Sequence, residues 1–202
     1  MNLAVILSVI LSLGILVATI KTLKEIKFDV RTISRIGVVA AITIVLYMIK
    51  IVPFPQGGGC SLLSILPIMI LAVIFDTREA LVCAIIVAFI KIVIQPPYYP
   101  MQIPLDYLGA MISVAFTPMF GTDKKSNLVT GALVASLLSI SFSVLSGIIF
   151  FGEFAPKGTP VWIYSIVYNF LGYGVEALLS VIALSLLPLK HLKTTIMGKK
   201  VI

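Results

Sequence analysis

Residues 128–151 read Leu-Val-Thr-Gly-Ala-Leu-Val-Ala-Ser-Leu-Leu-Ser-Ile-Ser-Phe-Ser-Val-Leu-Ser-Gly-Ile-Ile-Phe-Phe, with no charge anywhere in the run. An α-helix needs about 20 mostly apolar residues to cross a bilayer, and this stretch supplies them. Its Gly131, Ala132, Ala135, Ser136, Ser139, Ser143, Ser146 and Gly147 are small. Small residues let membrane helices approach closely, which predicts tight packing inside a helical bundle. Outward from this run, six more hydrophobic segments lie near 2–20, 34–53, 61–75, 80–95, 103–120 and 161–189. The fold class that follows is an all-α integral membrane protein of about seven helices. The segments at 61–75 and 80–95 are short and must borrow from their loops or cross with little tilt.

Composition agrees. Of 202 residues, 60% are hydrophobic and 11% are charged, against roughly 45–50% and about 25% in soluble domains. Too little polar surface exists to cover a water-soluble globule, and the length leaves no room for a second soluble domain. The net charge of +7 does not point to nucleic acid, because the basic residues sit between apolar runs and follow a topological pattern. One set of loops holds Lys21 to Arg35, Arg78, Lys124, Lys125 and the lysines from Lys190 onward; the other holds only Lys50 and Lys157. The positive-inside rule then predicts an outside N-terminus, a cytoplasmic C-terminus, and outer loops at 54–60, 96–102 and 152–160. Positive charge follows the first apolar run instead of preceding it, which favours a retained helix over a cleaved signal peptide.

The outer loops are Pro- and Gly-rich, with Gln, Glu and Tyr-Tyr among them, a composition suited to lids. Tyr47, Tyr98, Tyr99, Tyr107, Trp162, Tyr164 and Tyr168 cluster toward that side. They form either an interfacial belt or the lining of an outward-opening cavity. No Gly-x-x-x-x-Gly-Lys-Ser/Thr loop occurs, so the chain does not bind ATP by that route. Cys60 and Cys83 read as buried apolar thiols, and the single histidine, His191, leaves no histidine-ligated metal centre.

Charges inside the bilayer are rare and mark function. Asp106 shares a helix face with Gln102, Gly109 and Ser113, and its carboxylate suits amino groups or a cation. Glu176 ends a stripe of Trp162, Ser165, Asn169 and Tyr173, as a structural partner or a proton site. Lys91 either snorkels or pairs with an acid.

Several stretches from about 34 to 188 carry a further signal: Pro55-Gln56-Gly57-Gly58, Leu66-Pro67-Ile68, Pro100-x-Gln102, Leu105-Asp106-Tyr107, the run from Gly147 through Gly152-Glu153-Phe154-Ala155-Pro156-x-Gly158, and Tyr164-Ser165-x-x-Tyr168-Asn169. In these the chain resembles the thiamine-binding S components of energy-coupling factor (ECF) vitamin transporters, the ThiT-like family. The resemblance implies a six-helix bundle in a prokaryotic plasma membrane, residues 31–202; the extra helix and basic linker read over residues 1–30 depart from the family's usual pattern. It implies no enzyme activity, no cofactor and no metal. The ligand is thiamine or a related pyrimidine or vitamin; the partners are a transmembrane coupling subunit and two cytoplasmic ATPases that use the ATP. The substrate-binding residues it implies are Asp106, in place of the family's glutamate, with Tyr164, Asn169 and Gly147. Ser143 stands where the family has histidine and Phe151 where it has tryptophan, and Tyr98 and Gln102 complete the expected set. Ala40 and Ala41 fall on the helix expected to dock the coupling subunit. The competing reading is a self-sufficient proton-coupled carrier using Asp106 and Glu176.

Overall fold

The computed structural model describes residues 26–198 without a break, and before them Ile10, Gly14, Val17, Thr19, Ile20, Lys21, Leu23 and Lys24. The helix expected over 2–20 lies largely outside the described residues. From Val30 onward the chain is helical, as the composition predicted, and it forms a bundle of six crossings.

Helix α1, Val30–Met48, starts where Asp29 accepts a hydrogen bond from the Thr32 backbone N–H at 2.7 Å. This cap satisfies an orphan donor of the first turn and holds the Asp29 carboxyl below its ordinary pKa. The predicted crossing at 34–53 does not stay helical to its end. Lys50–Pro53 is strand β1, paired antiparallel with strand β2, Gly59–Ser61, in a short hairpin. The next helix, α2, covers only Leu66–Ile74 of the predicted 61–75. At 1.5 Å per residue it spans about 13 Å, far short of a bilayer core, so the non-helical residues before it complete the crossing. A helix apolar on all sides belongs in the interior: Ile68, Met69 and Leu71 are at most 1% exposed.

Helix α3, Thr77–Ile94, is capped by Asp76, which accepts from the Arg78 N–H at 2.6 Å. Its first turn is tied to α1 by a forked ion pair: Arg35 Nε to Glu79 Oε2 at 2.9 Å and Nη2 to Oε1 at 2.5 Å. The guanidinium also lies 4.5 Å above the Phe75 ring. The fourth crossing opens as a π-helical segment, Ile103–Gly109, and continues as α4, Ala110–Val114, before unwinding into turns. Helix α5, Lys125–Phe150, contains the run that decided the fold. The sixth crossing is one continuous helix of three parts: α6, Val161–Asn169, a π-helical segment, Phe170–Gly174, and α7, Val175–Leu186. A short basic helix, α8, Leu189–Met197, follows and seats Leu189 against the core. By length and composition alone, α1, α5 and the α6–α7 unit are each long and apolar enough to cross a membrane.

The small residues of α5 do pack inward. Gly131, Ala132, Ala135, Ser136 and Ser139 are buried, and the Ser139 hydroxyl donates to the Ala110 carbonyl of α4 at 2.6 Å. Cys60 and Cys83 are both free and buried. A side chain at Gly131 would run into the Thr117 carbonyl oxygen. Gly131→Val is therefore expected to destabilise the bundle by about 1–3 kcal/mol, the usual cost of overpacking. Thermal unfolding of the purified chain in detergent measures it, and an unchanged midpoint would show that α5 does not rest on the turn at residue 117.

Candidate binding site

One end of the bundle encloses a cavity of about 150 Å³. A single water needs only about 10–15 Å³ of such space, so this is room for a small molecule. Its floor and walls come from α1, α3, the π segment at 103–109, α5 and the α6–α7 unit, and the hairpin lies across it. Both π segments sit at the depth of the cavity. A π turn takes an extra residue and shifts the helical phase, and such turns are common at functional sites.

Asp106 sits in the first π segment. Its Oδ2 accepts from Gln102 Nε2 at 2.8 Å and from the Ser146 hydroxyl at 2.6 Å. The carboxylate is thus fixed in direction before any ligand arrives. The predicted face of Gln102, Asp106, Gly109 and Ser113 divides here: the first two line the cavity, whereas Gly109 packs against Phe142 and Ser113 returns its hydroxyl to the Gly109 carbonyl at 2.7 Å. The cavity is also lined by Ser143 and Gly147 of α5, by Phe151 just past its end, and by Tyr164 and Asn169 of α6. A Cβ on Gly147 would strike the Ser165 hydroxyl, so glycine lets α5 and α6 meet beside the cavity. Asn169 Nδ2 donates to the Ser165 carbonyl at 2.9 Å and, more weakly, to the Ser143 carbonyl at 3.4 Å. What Asn169 can offer a ligand is its carbonyl oxygen.

Seven of the eight expected substrate-binding residues line one cavity. The eighth, Tyr98, is exposed on the loop above and meets Phe151 edge-on at a centroid distance of 5.9 Å. The aromatic cluster divides in the structure. Tyr47, Tyr107, Tyr164 and Tyr168 line the cavity, while Tyr98, Tyr99 and Trp162 stay outside it. Trp162, 55% exposed, has the setting of an interfacial anchor. Tyr99 instead ties two loops, donating to Glu153 at 2.6 Å; that bond to a carboxylate raises its phenol pKa. Of the docking pair, Ala41 is exposed but Ala40 is 4% exposed and belongs to the core. The two are one residue, about 100°, apart on the helix, so Ala40 has no surface to present to a partner.

Glu176, 2% exposed, is structural in geometry. It accepts from the backbone N–H groups of Ser61 and Ser64 at 2.9 and 2.8 Å, and from the Ser64 hydroxyl at 2.5 Å. These bonds satisfy the non-helical stretch between β2 and α2. The hairpin turn above is shaped by Gln56 at φ 57° and Gly57 at φ 81°, left-handed values that glycine adopts without strain. The Tyr168 hydroxyl donates to the Pro55 carbonyl, and the Tyr168 ring meets Phe54 edge-on at 5.3 Å. Nothing in the apolar pattern pointed to Lys50 or Ser64 as lining residues; the hairpin and the irregular stretch after it bring them to the cavity.

Glu176→Ala removes the acceptor for two buried N–H groups, each costing about 1–3 kcal/mol when left unmet. The expected outcome is a lower unfolding midpoint together with faster proteolysis within residues 53–65. Gln, which keeps one acceptor oxygen, should recover part of the loss, and equal behaviour of the two variants would remove Glu176 from this role.

Comparison with known proteins now bears on what this cavity serves. The family described as "Thiamine transporter protein (Thia_YuaJ)" matches residues 33–196. The protein named thiamine transporter ThiT of Bacillus subtilis (strain 168) is 30% identical over 151 residues, covering 67% of this chain and 78% of that protein. A solved structure of ThiT from Listeria monocytogenes superimposes with a TM-score of 0.67 at 20% identity, covering 79% of this chain and 93% of that one. That likeness establishes the helical fold, and the sequence match establishes a transport role in place of catalysis. The chain belongs to the thiamine transporter protein family.

Proposed function

We propose that this chain is the substrate-binding subunit of an ATP-driven ECF importer, and that it takes thiamine or a closely related pyrimidine into a cavity facing the outside of a prokaryotic cell. The observation that supports this most directly is the Asp106 carboxylate, oriented by Gln102 and Ser146 on the cavity wall. A fixed carboxylate pairs with the amino group and adjacent ring nitrogen of an aminopyrimidine through parallel, charge-assisted hydrogen bonds. Phe151 and Tyr164 offer ring faces to a thiazolium cation, an attraction worth about 0.5–2 kcal/mol and weaker for Phe than for Trp.

Orientation follows from the loop charges. The lysine-poor loops, including the hairpin, are outside, and the C-terminus is cytoplasmic. Since the chain carries no phosphate-binding loop, the energy source lies on partner ATPases, reached through a coupling subunit that contacts the outer face of α1 around Ala41. The proton-coupled alternative needs a carboxylate able to change partners. Glu176 argues against it, being spent on three hydrogen bonds to the hairpin connection.

Trp162 is a poor reporter because it lies off the cavity, so calorimetry is the suitable test. The expected result is tight thiamine binding by the purified chain, weakened at least tenfold in Asp106→Asn, consistent with loss of a charged acceptor worth about 1.5–3 kcal/mol. In reconstituted vesicles, uptake should require the coupling subunit, the ATPases and ATP. Uptake by the chain alone, abolished by an uncoupler, would overturn the reading.

A further inference from the structure

Two lysines face the cavity that the vitamin reading does not use. The Lys50 ammonium lies 4.1 Å from the centroid of the Tyr47 ring and the Lys91 ammonium 4.2 Å from the same centroid. All three residues line the cavity. Lying against one ring, the two ammonium groups are no more than about 9 Å apart, a separation that a diphosphate can span. Among the described residues the ion pair of the structure is Arg35–Glu79, at the other end of α1 and α3. Neither cavity lysine is within ion-pair distance of Asp106 or Glu176. The ring attracts both cations, but it accepts none of their N–H bonds in the way an oxygen does, and each ammonium has three donors to place.

A second, independent feature lies beside them. Ser61 is 1% exposed and lines the cavity, yet its hydroxyl has no hydrogen-bond partner. Its backbone N–H is the group held by Glu176. Lys50 and Ser61 are Cα partners across the hairpin, and directly paired residues project their side chains to the same face. The hairpin therefore brings one cationic head and one unmet hydroxyl together, and α3 adds the second cation.

We propose that Lys50, Lys91 and Ser61 form an anion subsite within the cavity, so that the preferred ligand is a phosphate ester of the vitamin. This rests on the proposed function for the other half of the cavity, where Asp106 takes the pyrimidine. The physical argument is one of charge. Thiamine is itself a cation, and two ammonium groups near it repel it. Ser143 and Phe151 provide a weaker cation site than the family's histidine and tryptophan. A phosphate reverses the sign at one end of the ligand. It accepts charge-assisted hydrogen bonds from both lysines and the serine hydroxyl while the pyrimidine stays on Asp106. Glu176 also lines the cavity and its charge attenuates the subsite, but its oxygens are held by the Ser61 and Ser64 donors and it pairs with neither lysine.

The test is calorimetry on the full purified chain at low ionic strength, where screening is weakest. Three probes are used: thiamine, thiamine monophosphate and inorganic pyrophosphate. Thiamine monophosphate should bind at least tenfold more tightly than thiamine, the factor that about 1.4 kcal/mol supplies. Added salt should narrow the difference, and pyrophosphate should compete with the monophosphate. The affinity ratio should collapse toward one in Lys50→Gln/Lys91→Gln and persist in Lys50→Arg/Lys91→Arg, which keeps the charge and guards against misfolding. Thiamine binding with no gain from the phosphate, in both wild type and the glutamine variant, overturns the subsite and leaves the vitamin reading standing. Lysine-dependent binding of pyrophosphate without binding of either vitamin form supports the subsite and removes the vitamin reading. Binding of none of the three removes both.

Discussion

In hydrocarbon a backbone N–H without a partner has no water to fall back on, and this constraint governs how the bundle is built. Helices meet it within themselves. The segment from Gly59 to Ile65 is not helical, yet it runs into the bundle, where Ser61, Ser64 and Ile65 are at most 4% exposed. Glu176 supplies the missing acceptors from the opposite wall. Irregular backbone at membrane depth is tolerated where it is buried in protein or lines a cavity, and here it does both. Fixing this stretch sets the start of α2, the pairing of the hairpin, and through the hairpin the positions of Lys50 and the 56–59 turn. Glycines make the fit possible: a Cβ on Gly172 would press on Gly59 and Phe54, and one on Gly58 would collide with Tyr168.

The long runs were legible because a bilayer demands a minimum length of apolar helix and leaves few alternatives. Residues 128–151 and 161–189 therefore read directly as crossings. The run at 61–75 was apolar enough to read as one as well, but hydrophobicity alone does not separate helix from buried irregular chain. Its first residues are held by side-chain acceptors from 112 and 115 positions away, a dependence that no local pattern reveals. The two π segments were invisible for a related reason. Periodicity of 3.6 assigns faces, and a π turn breaks the assignment midway. That is why Gly109 and Ser113 left the face of Asp106.

At the site, Asp106 and Asn169 were legible as polar residues in apolar surroundings, and Tyr164 as one of a cluster of aromatic residues. Ala40 was not, because a small apolar residue suits a core and an interface equally. The structure separates it from Ala41 by burial. Lys91 was equally open at the level of sequence, between snorkelling and pairing. It pairs with no acid: it lies against the Tyr47 ring at the cavity, and Tyr47 is itself anchored by a hydrogen bond to Gln95, which caps the helix that carries Lys91. The cavity thus combines two oriented carboxylates, Asp106 and Glu176, with two lysines and several aromatic side chains, gathered from different elements.

The contact between Tyr168 and the Pro55 carbonyl has a kinetic meaning. It joins the hairpin turn to α6, and residues 56–59 of that turn border the cavity. Were a molecule to pass the turn, this latch would have to break on the way in and again on the way out. A barrier shared by both directions changes arrival and departure rates together and leaves their ratio untouched. The latch therefore acts on residence time, whereas the residues on the walls determine affinity. In a cavity closed in this way, holding time is adjustable separately from strength of binding.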